Sequence, residues 1–511
     1  MNLTDFYFLC AFAVILVIYY LVPGKCQWGV ILVSSIAYYL LSGHPVLILY
    51  PVMSIVICYA STRFITENEE PKKKKAALII TIILLLAVLI TLKYLRFINV
   101  SELLIPLGLS YYTFTLIGYV TDVYNGITEP QGNMLKLLAF GMYFPALVSG
   151  PIMQYREISK TFYDRHEFDL KELTYGFQRM LWGFFKKLVI ADRLNDVVSV
   201  MFADPNTFSG RNVFWAILLF TIQLYSDFSG LMDIVLGISQ CLGITLPENF
   251  KLPFWAPTVS EYWRRWHVTL GAWFREYVFY PVLRTKAFAG LQTTLKNRLG
   301  KKSGKQLSTF AAMFVLWLTV GLWHGGKLTY VLGSGLLHWL FIVLEESFKD
   351  PFARLWNRMK VDPDSTWLKC VRVVRTFLLV NLGNAFFRSA SVPAAFKMLK
   401  SGFRNLGSET IMPWLVRNLL EGMSERGIRA VSDSTILSLN YIDLGIMTFG
   451  ILVMLVISII KAKTGTDVRD RIARHNIAFR YALWMAFLFF VILTANYGPE
   501  YSSAEFIYQG F

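Results

Sequence analysis

Two histidines of this 511-residue chain lie among aromatic and apolar residues rather than in polar loops. His267 closes the run Glu261-Tyr-Trp-Arg-Arg-Trp-His267, and His324 sits inside Gly321-Leu-Trp-His-Gly-Gly326, after the apolar stretch Phe310 to Val320. A neutral imidazole, with an ordinary pKa of about 6.5, can take a hydroxyl proton at physiological pH. Glycines on both sides of His324 permit close approach of a substrate and backbone angles closed to other residues. The competing reading of His324 is a structurally bonded histidine at a helix-ending glycine turn. An ionisable group held in or near a membrane is functional by default, which puts function ahead. For His267, a satisfied core histidine stands level with a role in chemistry. If its segment is one helix, Trp263, His267 and Gly271 share a face. Arg264, Arg265 and Arg275, with Trp263 and Trp266, then make a cationic surface. That surface fits an anionic donor such as a phosphate-bearing thioester. It fits equally an interfacial helix binding lipid headgroups, the plainer use of such arginines.

A third cluster, Tyr225-Ser-Asp227-Phe-Ser-Gly230 with Asp233, places two carboxylates between apolar runs. These could orient a histidine, line a polar tunnel, or cap a helix starting near Ser229. His338 reads as packing, and His44, His166 and His475 as loop residues. Five scattered cysteines without a CxxC pair form neither a disulfide framework nor a zinc site. With no His-x-x-x-His or Glu-x-x-His spacing, no metal is expected.

The elements that must hold these residues are set by composition. Apolar residues make up 55% and charged residues 16% of the chain, against roughly 25% charged in soluble proteins. Mean hydropathy is +0.47. Near-uncharged runs long enough to cross a bilayer recur throughout, so the composition excludes a soluble multidomain enzyme, a disordered chain and a fibre. The reading is an all-α polytopic membrane protein. The formal charge of +16 sits in short loops between apolar runs, the positive-inside pattern rather than a nucleic-acid footprint.

The run Phe6 to Leu21 lacks the basic flank and cleavage site of a signal peptide and reads as a first membrane helix. Further runs fall at about 28–42, 45–61, 76–96 and 104–123, each near the length a crossing requires. Lys72 to Lys75 with Arg63 mark a cytoplasmic loop, as do the basic residues of 286–305 and of 461–480. Counting from these marks puts both termini outside. Segments 308–323 and 328–346 form an out-and-back hairpin with His324 at its turn; 369–388 runs outward, 445–460 returns and 481–496 leaves again. Residues about 393–443 become an external segment. The stretch 135–285 mixes charge with apolar residues and reads as broken, tilted or re-entrant helices. Roughly ten to twelve crossings are expected.

Several stretches together resemble the membrane-bound O-acyltransferase family, in its bacterial alginate-O-acetylation-like branch. They are Pro106 to Phe114 with Tyr119 to Tyr124, Phe144-Pro-Ala-Leu-Val-Ser-Gly-Pro151, Tyr225 to Gly237, and Phe254 to Tyr280. Gly-Leu-Trp-His-Gly325, Asn384-Ala-Phe-Phe-Arg388 and Phe506-Ile-Tyr508 follow in the same order. Leu322 and Gly326 replace residues frequent in the family, without loss of a functional group.

The resemblance implies one membrane domain over 1–511, a ring of tilted and re-entrant helices around a funnel. Residues 1–125 would be N-terminal helices and 126–347 the catalytic core. Residues 348–511 would carry the C-terminal helices, the external segment and an external tail, 498–511. It implies a catalytic pair, His324 and His267, with His324 the reacting one. Trp263, Trp266, Arg264, Arg265, Arg275, Trp323 and Asp227 would line the donor tunnel. It further implies an acyl donor that is a cytoplasmic thioester, acetyl-CoA or an acyl carrier protein, with no bound cofactor. The partner would be a secreted or membrane-anchored serine-hydrolase-like (SGNH-type) acyltransferase acting on an envelope polysaccharide, and the location the bacterial cytoplasmic membrane. Tyr508 is expected to reach back toward His324 and carry the acyl group; the plainer reading is an interfacial aromatic anchor. D-alanyl transfer to teichoic acid is the rival within the family. A secondary transporter or flippase is the rival outside it, although neither histidine signature repeats in a second half of the chain.

Overall fold

In lipid every backbone amide and carbonyl must be satisfied within the protein, which leaves a chain of this composition the helix as its spanning element. The computed structural model describes residues 2–94, 105–203, 210–404, 406 and 441–496. Among them, eight helices are long and apolar enough to cross a membrane. The chain is an all-α, multi-pass membrane protein.

The described residues fall into two compact units, each gathered from separate stretches of chain. The first comprises residues 1–183, 231–249 and 269–278. It begins with α1 (Phe6–Leu21), α2 (Gln27–Ser42), α3 (Leu49–Glu67), α4 (Pro71–Tyr94) and α5 (Leu109–Tyr124), with α3 packed on both α4 and α5. The basic run Lys72 to Lys75 forms the first turn of α4. Helices α2 and α5 stop at 16 residues each, shorter than the expected crossings there. Gly43 and Pro45 end the one; Gly108, at φ +73°, begins the other. Further along, α6 (Leu170–Phe184) lies backbone to backbone against the later helix carrying Gly237. A Cβ on Gly176 would stand 2.7 Å from the Gly237 carbonyl oxygen. Arg179 secures the same contact, pairing with Asp233 at 3.0 Å and Glu248 at 2.7 Å. Asp233 is thereby committed to an ion pair of the scaffold.

The second unit comprises 184–230, 250–268 and 279–511. Its helices are α7 (Asp192–Ala203), the start of α8 (Arg211–Cys241), α9 (Val259–Arg265) and the first residue of α10 (Val268–Phe274). Then follow α11 (Lys286–Leu299), α12 (Lys301–Trp323), α13 (Leu337–Arg358), α14 (Thr366–Arg388), α15 (Tyr441–Thr464) and α16 (Ile477–Thr494). Wider, π-helical turns interrupt the regular winding at Phe185–Ala191 and Val331–Leu336.

Two elements differ from the sequence reading. α8 runs unbroken for 31 residues through Ser229 and Gly230, so Asp227 and Ser229 cap nothing. A lysine from another element neutralises Asp227 inside the helix, which removes the reason for a break. The basic stretch read as an inner loop contains α11, whose Lys, Leu, Gln and Ala residues are good helix formers. Thr285 caps it by accepting from the Phe288 amide at 3.3 Å, and Gly300, at φ +82°, ends it. The external segment expected at 393–443 opens with a helix, Val392–Arg404; most of the remainder, and the whole tail from 498, lie outside the described residues.

Candidate active site

His267 owes its place to a break in what the sequence suggested was one helix. Thr258 caps α9, its hydroxyl accepting from the Glu261 amide at 3.0 Å. The helix stops at Arg265 because Trp266 turns into extended geometry and bridges to Phe250, with the Lys251 amide donating to the Arg265 carbonyl at 2.9 Å. His267 then takes φ +48°, in the left-handed region, before α10 begins. Leu252 and Lys360 are the other non-glycine residues with positive φ among the described ones, and His267 alone of the three is buried. Such a conformation is uncommon outside Gly and Asn, and persists where surrounding structure over-determines it. The face-sharing of Trp263, His267 and Gly271 does not survive this break. Trp263 instead packs on Trp317 and on His338, each at 4.9 Å.

The His267 ring is 1% exposed and stands edge-on to Phe228 at 4.8 Å. Burial pushes its pKa down to about 3, which keeps the imidazole neutral. Its other aromatic neighbour is Trp323, at 6.1 Å.

His324 follows directly on α12 and terminates it. The turn is tight. The Gly325 and Gly326 amides both donate back to the Leu322 carbonyl, at 3.0 and 3.1 Å, with φ of +116° and +74°. A side chain at either glycine would be strained, so the Gly-Gly pair is what lets the chain reverse beside the histidine. The His324 ring, 1% exposed, packs on Trp323 at 4.7 Å and edge-on to Phe387 at 5.6 Å. Glycines also bring the surrounding backbones together. A Cβ on Gly321 would stand 2.7 Å from the Val331 Cα, and one on Gly333 2.7 Å from both the Gly383 carbonyl oxygen and the Phe387 amide nitrogen. The π-helical turn Val331–Leu336 is thus wedged between α12 and α14, and π-helical turns are frequent at functional sites.

The two histidines therefore flank a single indole, Trp323, within one unit. They cannot be farther apart than the two centroid separations placed end to end. Trp266 lies on the same side as Phe228, against Phe250 at 4.9 Å. Of the arginines, Arg265 is tied to Glu261 at 2.9 Å, whereas Arg264, also touching Glu261 at 3.2 Å, keeps 66% of its side chain exposed. Arg275 is exposed at the first residue of another π-helical turn, Arg275–Phe279, and falls in the first unit.

Asp227 is one turn of helix from the wall of the site, adjacent in sequence to Phe228. Lys187, from the π-helical turn Phe185–Ala191, pairs with Asp227 at 2.7 Å and with Asp192 at 3.0 Å, all three side chains almost fully buried. Buried charges persist where paired in this way. Sequence reading missed Lys187 and Asp192. It also missed a polar row on α14: the Asn381 carbonyl oxygen accepts from the Thr221 hydroxyl at 2.8 Å, and Asn384 donates to that hydroxyl at 2.9 Å. Arg388 donates to Ser199 at 3.2 Å. Asn381, Asn384 and Arg388 recur at helical spacing inside an apolar run, a legible signal. Tyr508 lies outside the described residues.

A multi-pass helical membrane protein with two buried histidines converging on one indole is the class these features define. Residues 127–296 match the family described as MBOAT, membrane-bound O-acyltransferase. A protein of Pseudomonas aeruginosa named Probable alginate O-acetylase is 32% identical over 305 residues, 59% of this chain and 52% of that protein. The Peptidoglycan O-acetyltransferase of Helicobacter pylori is 27% identical over 325 residues, 58% of this chain and 57% of that protein. The Teichoic acid D-alanyltransferase of Bacillus subtilis is 29% identical over 289 residues, 55% of this chain and 68% of that protein. The chain belongs to the membrane-bound O-acyltransferase family. Its aligned part spans about half the length of the alginate-acetylase relatives.

Proposed function

We propose that the protein is an O-acyltransferase that takes an acyl group, acetyl in the first instance, from a cytoplasmic thioester and delivers it across the membrane. The destination is hydroxyl groups of an envelope polysaccharide, reached through a secreted SGNH-type partner. The donor is acetyl-CoA or an acyl carrier protein, and the basic loops face the cytoplasm. One observation carries the reading: His267 and His324 converge on Trp323 in a buried cluster built from helix breaks and close-packed glycines.

In this reading His324 is the base. As the acceptor oxygen bonds to the thioester carbonyl carbon, its proton passes to an imidazole nitrogen of His324. Collapse of the tetrahedral adduct breaks the carbon–sulfur bond, and the departing thiolate takes the proton back. His267, neutral at physiological pH, serves by position on the donor side, next to Trp266 and the α9 arginines. Exposed Arg264 is suited to the donor's phosphates. Tyr508 enters as the first acceptor, its phenol deprotonated by His324 and its ester passed on to a serine of the partner. The named activity of the B. subtilis relative supports D-alanyl transfer as the second reading.

The test supplies labelled acyl thioester to one face of proteoliposomes holding the full chain, with partner and acceptor at the other. Label on the acceptor with wild type and none with His324→Ala supports the reading. Label that stays on its carrier with every protein refutes it.

A further inference from the structure

Among the cations set into this protein, Arg388 is held differently from its fellows. Arg193 faces Asp443 at 3.1 Å; Arg179 faces Asp233 and Glu248; Arg156 faces Glu276 and Asp122. Arg388 is half-buried at the last residue of α14, and among the described residues no carboxylate lies within ion-pair distance of it. Its guanidinium rests over the Phe202 ring at 5.7 Å and donates one hydrogen bond, to the Ser199 hydroxyl at 3.2 Å. Those contacts use the flat face and one edge of a group with five N–H donors in a fixed fork. Keeping such a cation partly out of water without a counter-charge is costly, and a fold that only needed bulk there would use an apolar residue.

Its surroundings connect it to the site. Phe387, the preceding residue, forms the wall on which His324 packs at 5.6 Å, and Tyr330 stacks on that same ring at 5.0 Å. Tyr330 and Arg388 are close enough to interact electrostatically. The guanidinium therefore stands one aromatic layer from the histidine. By the basic-loop count α14 runs outward and α12 runs outward to His324, so Arg388 belongs to the acceptor end.

We propose that Arg388 is the acceptor-recognition group of this site: it binds an oxyanion, carboxylate or phosphate, carried by the hydroxyl-bearing acceptor, and so selects anionic over neutral acceptors. This rests on His324 as the place of transfer. Carboxylate and phosphate share the planar, two-pronged acceptor geometry that the fork matches. The Phe202 face and the Ser199 bond hold the fork in orientation before the anion arrives, which lowers the entropy lost on binding.

The test measures binding of three soluble probes to the detergent-purified full chain: a uronic-acid tetrasaccharide, a neutral tetrasaccharide of the same linkage, and a glycerol-phosphate oligomer. Wild type, Arg388→Gln and Arg388→Lys are compared at two salt concentrations. Wild type should bind the uronate or the phosphate probe at least ten times more tightly than the neutral one, and which of the two identifies the source of the oxyanion. Arg388→Gln should weaken that probe about ten- to a hundredfold, the range for hydrogen bonds to a charged group, and leave the neutral one unchanged. Arg388→Lys should recover part of the loss by charge but not by geometry. Equal loss for neutral and anionic probes, or no loss, overturns the proposal, and matching melting temperatures of the three proteins exclude misfolding as the cause. Because the readout is binding, the outcomes separate cleanly. Anion binding that persists in Arg388→Gln defeats this inference while acyl transfer stands; anion binding that needs Arg388 in a protein that never transfers acyl groups defeats the transfer reading instead.

Discussion

Replacing Gly333 with alanine tests whether the site is built on backbone contact. Helix propensity alone makes Gly→Ala in a helix stabilising by about 0.5–1 kcal/mol. At Gly333 the added methyl would stand 2.7 Å from the Gly383 carbonyl oxygen and the Phe387 amide nitrogen, and 3.1 Å from the Phe386 Cβ. Two of these are backbone atoms of α14, which cannot swing aside as a side chain can. Relief requires the π-helical turn and α14 to separate by several tenths of an ångström. Inserting a methylene into a packed interior costs roughly 1–3 kcal/mol, and backbone neighbours favour the upper part of that range. The net effect is then a loss of about 1–2 kcal/mol, opposite in sign to propensity. Gly290, exposed within α11 with nothing within 4 Å of an added methyl group, is the matched control. Thermal unfolding in detergent should show Gly333→Ala melting several degrees below wild type and Gly290→Ala at or above it. A displaced α14 also moves Phe387, on which His324 packs. Since a 1 Å misplacement can cost about a hundredfold in rate, transfer by Gly333→Ala should fall severalfold with donor KM little changed. A Gly333→Ala protein as stable and active as Gly290→Ala would show that these backbones do not touch and that the packing argument is wrong.

His324→Ala should insert and melt like wild type yet lose about 10²–10⁴ in transfer rate; unchanged single-turnover rates would remove it from the chemistry. His267 has its folded pKa lowered to about 3, whereas the unfolded chain takes up the proton near the ordinary value. Its contribution is therefore complete above the unfolded pKa and is lost as pH falls toward 3, so stability should rise with pH through that window. His267→Asn, which tolerates positive φ, should reduce the slope of melting temperature against pH between 4 and 6; an identical slope would mean the ring is not held neutral by burial. Tyr508→Phe deletes only a hydroxyl. Loss of polymer acylation with normal protein levels is expected, and normal acylation would leave the tail an anchor.

The hydropathy runs, the glycine-histidine turn after Val320 and the membrane class were all legible in the chain, because each depends on neighbours within a few residues. Apolar length decides a span, and Gly325-Gly326 decides a reversal, wherever they occur. The split between α9 and α10 was not legible, since it depends on Phe250 pairing with Trp266 across sixteen residues of intervening geometry. Nor was the fate of Asp227, whose local context reads as a helix break until Lys187 arrives from a different turn of chain. Thr221 and Asn381, 160 residues apart, give no sign of each other in periodicity. Tertiary structure decided which buried polar groups meet, because a hydrogen bond or ion pair inside an apolar interior is satisfied by whatever the packing brings within 3 Å, and packing is a property of the whole chain.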